Sequence, residues 1–161
     1  MESVIAILIS ALMVVESDGN ANAIGDHGKA VGVLQIHPEC VQDVNRQTGN
    51  AYTLQDRKSI LKSREICAAY LAHYGKRYER KTGKTATAEV YSRIWNGGPS
   101  GYAKSATAHY WEKTRRELAK RESGTQSAAT AKTTRPEMPR RKKTATRRIG
   151  RIYPREPRRA A

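Results

Sequence analysis

The chain has 161 residues, enough for one compact domain and an appendage. It carries 30 Lys and Arg residues against 15 Asp and Glu, a formal net charge of +15. Such a charge favours polyanionic partners, such as nucleic acid, anionic lipid or phosphate-rich envelope polymers, without choosing among them. The uncharged apolar run from Val4 to Val15 is too short to span a bilayer, so we expect no membrane span.

The charge is distributed unevenly along the chain. Residues 1–120 hold 17 basic and 12 acidic residues, whereas residues 121–161 hold 13 basic and 3 acidic. The second segment is rich in Ser, Thr and Ala, then in Arg and Lys, with almost nothing to bury, so it cannot offset its chain entropy. We therefore predict a domain over 1–120 and a disordered basic tail over 121–161.

The apolar run at the N-terminus has about the length of a signal-peptide core. However, Glu2 stands where a signal peptide would be basic, and cleavage at Ala21-Asn22-Ala23 would remove Glu16. We interpret the run as a buried central helix from Ser3 to Glu16, ended by Asp18-Gly19-Asn20, with no clear signal peptide.

The rest of the domain alternates helical patterns with glycine-rich turns. Three glycines between Asn20 and His37 predict irregular backbone or short strands. Further helices are predicted over about 38–47, 54–80, 87–95 and 105–120; Gly75 is expected to kink or end the second of these. The apolar stripe of that helix is Ile60, Cys67, Leu71, Tyr74 and Tyr78. The fold class is therefore all-α with a short β-like segment, and we favour two buried thiols at Cys40 and Cys67 over a disulfide.

Glu16 follows Met13, Val14 and Val15 at the C-terminal end of the apolar helix. Burial and the negative end of the helix dipole both disfavour an ionised carboxyl, so both raise its pKa. A carboxyl that keeps its proton near neutral pH can act as a general acid on a glycosidic oxygen. The alternative is that Glu16 ends the helix and points into water.

Three motifs in order bear on that choice. They are Glu16-Ser17-x-x-Asn20-x-x-Ala23, then Gly28-x-x-x-Gly32-Val33-Leu34-Gln35-Ile36-x-Pro38, and later Ile94-Trp95-Asn96-Gly97-Gly98-Pro99, with Tyr70-Leu71 on a helix between the last two. Together they resemble the lytic transglycosylase and goose-type lysozyme families of the lysozyme-like superfamily, over about residues 2–120. The resemblance implies a helical peptidoglycan-cleaving domain, with peptidoglycan glycan strands as its partner.

The resemblance implies roles for individual residues. Glu16 would be the general acid and then the base, with Ser17 and Gln35 positioning the acid and the sugar acetamido groups. Asn96 would hold sugar or loop backbone. A structural role, tying down loop backbone, is the alternative for Gln35 and Asn96.

The third motif departs from the family pattern, because Trp95 stands where the family usually has a tyrosine near the acid. An indole cannot supply that hydroxyl. Tyr91 or Tyr102 would be substitutes, with core packing or a surface ring as the alternative for each. Trp95 itself would stack on a sugar face or pack in the core.

Two reactions fit a single acid of this kind. Hydrolysis normally needs a second carboxylate, whereas in lytic transglycosylases the C6 hydroxyl of muramic acid attacks. Asp18, Asp26 and Glu39 are the candidates for a second carboxylate. Asp26 is similar in setting to the aspartate that helps bind water in goose-type lysozymes, but that family's further aspartate matches His37 here. A turn-forming role is the alternative for Asp26, and we favour the transglycosylase.

Two rival functions remain open. A nucleic-acid-binding protein would depend on the basic tail alone, since residues 1–120 contain no recognised DNA- or RNA-reading motif. A wall-binding domain without turnover is the other. For the enzyme we expect a monomer acting at the bacterial cell wall or periplasm, phage-borne or secretion-associated. Its tail would bind anionic envelope polymers or nucleic acid, and we expect no metal ion and no cofactor.

Overall fold

The computed structural model describes residues 4–133, which form five α-helices and one two-stranded hairpin. The helices are α1 (Val4–Ser17), α2 (Pro38–Thr48), α3 (Ile60–Thr82), α4 (Ala88–Gly97) and α5 (Ala108–Thr133). The strands are β1 (Ile24–Gly25) and β2 (Ala30–Val31). This architecture confirms the predicted fold class, a helical domain with a short β-like segment.

Helix α1 is central, as its composition predicted. Leu8 and Leu12 are fully buried, and the helix packs against α3, α4 and α5. Its N-terminal end is less covered, because Val4 and Ile7 are 54% and 43% exposed. The exposed apolar side chains of α1 therefore lie in its first turn, and the fully buried ones lie closer to Glu16.

The glycine-rich segment folds into a tight antiparallel hairpin, with Ile24 opposite Val31 and Gly25 opposite Ala30. A backbone bridge then joins Val31 to Ile36, so the chain turns twice within a few residues. The second turn requires Gly32: its φ is +84°, and a Cβ there would lie 1.8 Å from the carbonyl oxygen of Arg57. The hairpin is thereby pressed against the turn that precedes α3.

The helix predicted over 54–80 is divided in two. Residues Leu54–Lys58 form a 3-10 turn that opens with a capping box between Thr53 and Asp56. Extended backbone at Ser59 then starts α3, and the Ser59 side chain accepts a hydrogen bond from the Lys62 amide. Ile60, which we placed in the apolar stripe, is 45% exposed because it lies at this new helix start.

Gly75 does not end α3, which continues to Thr82 and stops at Gly83 in the left-handed conformation. The lack of a side chain at Gly75 instead makes room for a neighbouring ring. A Cβ at this position would lie 2.3 Å from Cε1 of Tyr91 on α4. Gly75 therefore serves the packing of α4 against α3.

Helix α5 is longer than predicted. It continues past Lys120 to Thr133, so residues 121–133, which we expected to be disordered, are helical. Residues 134–161, the rest of the predicted tail, lie outside the described residues, and the domain boundary remains a prediction. Cys40 and Cys67 are free thiols, as expected. None of the described helices has the length and apolar character needed to cross a membrane.

We predict that Gly32→Ala lowers the free energy of unfolding by more than about 3 kcal/mol, because a positive φ and a backbone clash act together. Gly28→Ala is the matched control. Its φ is +90° but no atom lies within 4 Å of the added Cβ, so we expect a loss of about 1 kcal/mol. Urea unfolding measures both, and equal losses would contradict the role of the clash.

Candidate active site

An open cleft of about 810 Å³ crosses the domain. It lies between the end of α1, the hairpin segment, α2, α3 and the end of α4. Five of the residues singled out in the sequence line it together: Glu16, Asp26, Gln35, Trp95 and Asn96. Positions separated by up to about 80 residues of chain are therefore neighbours around one concave surface.

Glu16 is half-buried at this cleft and accepts a hydrogen bond from the Tyr110 hydroxyl at 2.6 Å. Burial raises the pKa of the Glu16 carboxyl above its usual value, and hydrogen bonds from Tyr110 and the Trp95 side chain only partly offset this. The net direction is upward, as predicted from the sequence. The carboxyl thus favours its protonated form more than a solvated glutamate does.

The hydroxyl beside Glu16 comes from a residue that the sequence analysis did not assign to the site. Tyr110 lies on α5, and burial, followed by the nearby Glu16 carboxylate, raises its pKa, so the phenol remains a donor. We expected Trp95 to supply no hydroxyl and Tyr91 or Tyr102 to take its place. Instead the indole N–H, which can only donate, adds a second hydrogen bond to the carboxylate. Tyr110 lies within the helix predicted over 105–120, but nothing in the sequence paired it with Glu16.

The proposed substitutes for that hydroxyl lie elsewhere. Tyr91 packs against Gly75 of α3, and Tyr102 makes an edge contact with Tyr78, with ring centroids 4.8 Å apart. Neither residue lines the cleft. Both rings pack toward α3, and their assignment as substrate-binding residues stays a prediction.

Ser17 and Gln35 both bind loop backbone. Ser17 Oγ donates to the carbonyl of Val33 at 2.9 Å, which fastens the end of α1 to the glycine-rich segment. Gln35 Nε2 donates to the carbonyls of Gly32 (2.9 Å) and Ala23 (3.3 Å) while its side chain lines the cleft. Ser17 does not line the cleft, so it can affect the site only through the Val33 carbonyl to which it donates.

Asp26 lies at the edge of the cleft with its side chain 51% exposed. Its Oδ2 atom is 3.7 Å from Nε2 of His37, which also lines the cleft. Of the other candidate carboxylates, Glu39 lines the cleft, whereas Asp18 lies in a separate depression beside α5. Asn96 is exposed at the end of α4, facing the same space.

The wall formed by α2 and α3 was not anticipated. Asp43 accepts hydrogen bonds from Tyr74 (2.5 Å), Arg46 (2.6 Å) and Gln47 (2.7 Å). Burial acts to raise the pKa of Asp43, but the hydrogen bonds from Tyr74 and Arg46 outweigh it and keep the carboxyl ionised. This fixed carboxylate lies on the same cleft as Glu16, whose pKa shifts in the opposite direction.

An aromatic row continues that wall toward Glu16. The ring centroids of Tyr70 and Tyr74 are 4.6 Å apart, and Trp95 meets Tyr70 edge-on at 5.7 Å. All three residues line the cleft. Their rings present apolar faces and polar edges to whatever occupies it.

The described residues offer little support for a cysteine nucleophile or for a metal-binding site. Burial raises the pKa of the Cys40 thiol to about 12, so it stays protonated and is a poor nucleophile. Within residues 4–133, no cluster of three or more His, Cys, Asp or Glu side chains is arranged to hold a metal ion. The group with the clearest catalytic setting is therefore the Glu16 carboxyl.

A shielded carboxyl that lines an open cleft, in a small helical domain, is typical of lysozyme-like proteins. The chain belongs to the Transglycosylase SLT domain family, whose model matches residues 1–114. Membership supports a peptidoglycan-cleaving function, of lysozyme or transglycosylase type, acting on the cell wall.

Individual relatives agree with this class. A lysozyme from Magallana gigas is 50% identical over 40 residues, which are 25% of this chain and 29% of that lysozyme. A chain in the crystal structure of Aeromonas hydrophila PliI in complex with Meretrix lusoria lysozyme is similar in fold, with a TM-score of 0.58. That match has 23% sequence identity and covers 72% of this chain and 93% of the other, so it bears on the fold alone.

We predict that Tyr110→Phe raises the pKa of Glu16 further, because it removes a hydrogen bond that favours the ionised form. The carboxyl carbon signal of Glu16 in an NMR pH titration measures this shift. Tyr102→Phe is the matched control, since its ring packs on Tyr78 outside the cleft. An unchanged or lowered pKa in Tyr110→Phe would contradict the role of this contact.

We also predict that Glu16→Gln raises the melting temperature by a few degrees at pH 7. The folded state raises the pKa of Glu16, so the native protein loses stability as the pH rises from the unfolded pKa through the folded one. A neutral amide does not have this loss, and the difference should shrink at pH 4. Calorimetry at both pH values tests the trend, and a gap that widens at pH 4 would refute it.

Proposed function

We propose that the domain is a lytic transglycosylase that cleaves the β-1,4 bond between MurNAc and GlcNAc in peptidoglycan. Glu16 acts first as general acid and then as base. The observation that carries this proposal is the shielding of Glu16 at the cleft, with burial raising its pKa. Only a carboxyl that holds its proton near neutral pH can donate it to the leaving oxygen.

In this mechanism the Glu16 proton passes to the glycosidic oxygen while the bond from that oxygen to C1 of MurNAc breaks. Positive charge develops at C1, and the ionised Glu16 is now close to it. The C6 hydroxyl of the same sugar attacks C1 and returns its proton to Glu16. The products are a free GlcNAc end and a 1,6-anhydro MurNAc end, with no water consumed and the enzyme restored.

Tyr110 and Trp95 support both halves of this cycle. Their hydrogen bonds hold one orientation of the Glu16 carboxyl and stabilise its ionised form once the proton has left. Burial alone would raise the pKa of Glu16, and the carboxyl would then bind its proton tightly but donate it poorly. The two donors bring its acidity closer to that of a group able to give and retake a proton.

The sugars would bind along the two walls of the cleft. Gln35 and Asn96 offer amide groups to the acetamido and hydroxyl groups near the cleaved bond, and Trp95 and Tyr70 offer ring faces. Ser17 contributes indirectly, since its hydroxyl holds the Val33 carbonyl that precedes Gln35 by two residues.

A lysozyme-type hydrolase is the second candidate, and one observation favours it. Asp26 lines the same cleft as Glu16 and is half exposed, so it can reach solvent water. The Asp26 side chain could direct a water molecule to C1, and the product would then carry a reducing end instead of an anhydro ring.

We predict that Glu16→Gln lowers the cleavage rate of purified sacculi by more than about 100-fold, because the amide has no acidic proton to donate. Mass spectrometry of the released fragments from the native protein should detect anhydro ends, each one water lighter than a hydrolysed end. Glu112→Gln, which removes a half-exposed carboxylate that pairs with Arg115 on α5, is the matched control and should keep the native rate.

The outcomes separate the candidates. Anhydro ends from native protein, retained in Asp26→Asn, support the transglycosylase. If the native protein releases reducing ends, and Asp26→Asn loses activity, the hydrolase would be supported and the transglycosylase rejected. Unchanged cleavage by Glu16→Gln would reject Glu16 as the acid in either reaction, and native protein that binds sacculi without cutting them would leave a wall-binding domain.

A further inference from the structure

Arg57 is a charged residue in an unusual setting. It belongs to the 3-10 turn Leu54–Lys58 and is only 8% exposed. Within the part of the chain that the structure describes, no carboxylate lies within ion-pair distance of its guanidinium group. A buried cation without an anionic partner must be stabilised by other polar groups, or its desolvation would be very costly.

Those polar groups are backbone carbonyls. Arg57 Nε donates to the carbonyl of Leu54 at 2.9 Å, within its own turn. Its Nη1 atom donates to the carbonyls of Lys29 (2.9 Å) and Ile36 (3.1 Å). One planar guanidinium therefore joins three points of the chain, two of them more than 20 residues away in sequence.

The two distant carbonyls lie at the two ends of one functional segment. Lys29 comes directly before β2, and Ile36 comes directly before His37. Between them the chain carries Gln35 to the cleft, and the residues next to this segment carry Asp26 and His37 to it. The guanidinium group of Arg57 thus holds the start and the end of the cleft edge formed by residues 29–36.

The turn that carries Arg57 is itself held firmly. The carbonyl of Arg57 accepts a hydrogen bond from Ser63 on α3 at 2.8 Å. The same carbonyl lies against Gly32, where no side chain would fit. The hairpin segment is therefore attached to α3 through Arg57 by both its side chain and its backbone.

We infer that Arg57 is a positioning residue for glycan cleavage, holding the edge that carries Asp26, Gln35 and His37 at a fixed distance from Glu16. The inference rests on the proposed function. Arg57 touches no substrate; it acts through the backbone of residues 29–36. A displacement of about 1 Å in such an edge can cost on the order of 100-fold in rate, since cleavage requires aligned reacting atoms.

The test replaces Arg57 by Met, which keeps the length of the side chain but removes all its donors. We expect kcat on sacculi to fall roughly tenfold or more with a smaller change in KM, because loss of alignment affects the reacting geometry more than sugar binding. We also expect the fraction of hydrolysed ends among the products to rise at least twofold over the native fraction. A looser edge admits water in competition with the C6 hydroxyl.

The product fraction is the decisive readout, because it does not depend on how much protein is folded. Leu8→Ala, a cavity in the core two helical turns before Glu16, is the destabilised control, and it should lower the melting temperature without changing the product fraction. Arg57→Lys keeps the charge and part of the hydrogen bonding, so it should recover part of the native kcat and product fraction. Arg57→Lys also tests the inference if Arg57→Met does not fold.

Native kcat and native product fraction in the folded Arg57 variants, with only a lower melting temperature, would overturn the inference while leaving the proposed function intact. Native protein that releases neither kind of end would reject the proposed function, and the inference with it. These two failures differ in whether the native protein cuts sacculi at all. Lower kcat with a shifted product fraction, absent in Leu8→Ala, would support the inference.

Discussion

The contact between Tyr110 and Glu16 is the interaction on which the rest of the site depends. It joins the end of the central helix to the last helix across 94 residues of chain, with a separation of 2.6 Å between the two oxygens. Helices α1 and α5 pack against each other, so this hydrogen bond requires the fold to bring these two helices together. The setting of the acid is thus a product of the fold and not of the local sequence around Glu16.

The cleft contains two carboxyls whose environments act in opposite directions. Glu16 is shielded and has two neutral donors, so burial dominates and raises its pKa. Asp43 has a cationic donor in Arg46 as well as Tyr74 and Gln47, and these outweigh burial. Burial thus favours the protonated form of Glu16, whereas Asp43 remains a fixed negative charge. Opposite shifts of this kind allow one fold to support acid and base chemistry at a single pH.

The glycine-rich segment shows how an irregular stretch of chain becomes a defined wall. Its hairpin has only two residues in each strand, too few to be stable alone. Its position is fixed instead from outside, by Ser17 at the end of α1 and by Arg57 before α3. The packing of Gly32 against the Arg57 carbonyl requires a residue with no side chain, which explains one of the glycines that punctuate this part of the sequence.

The sequence alone was sufficient for the helical class and for most helix positions, because periodicity is a local property of the chain. Its ordered motifs also selected Glu16, Asp26, Gln35, Trp95 and Asn96, which line one cleft. It could not identify Tyr110 as the partner of Glu16, nor show that Tyr91 and Tyr102 pack toward α3, because a tyrosine has the same sequence pattern whichever neighbour it meets. It also did not predict that a helix boundary falls at Ser59, or that the Arg57 side chain binds three backbone carbonyls. Both features depend on groups that become neighbours only in the folded chain. What the tertiary structure decided was therefore which polar groups meet, and the physical reason is that hydrogen bonds act over about 3 Å whereas sequence patterns specify only the face of an element.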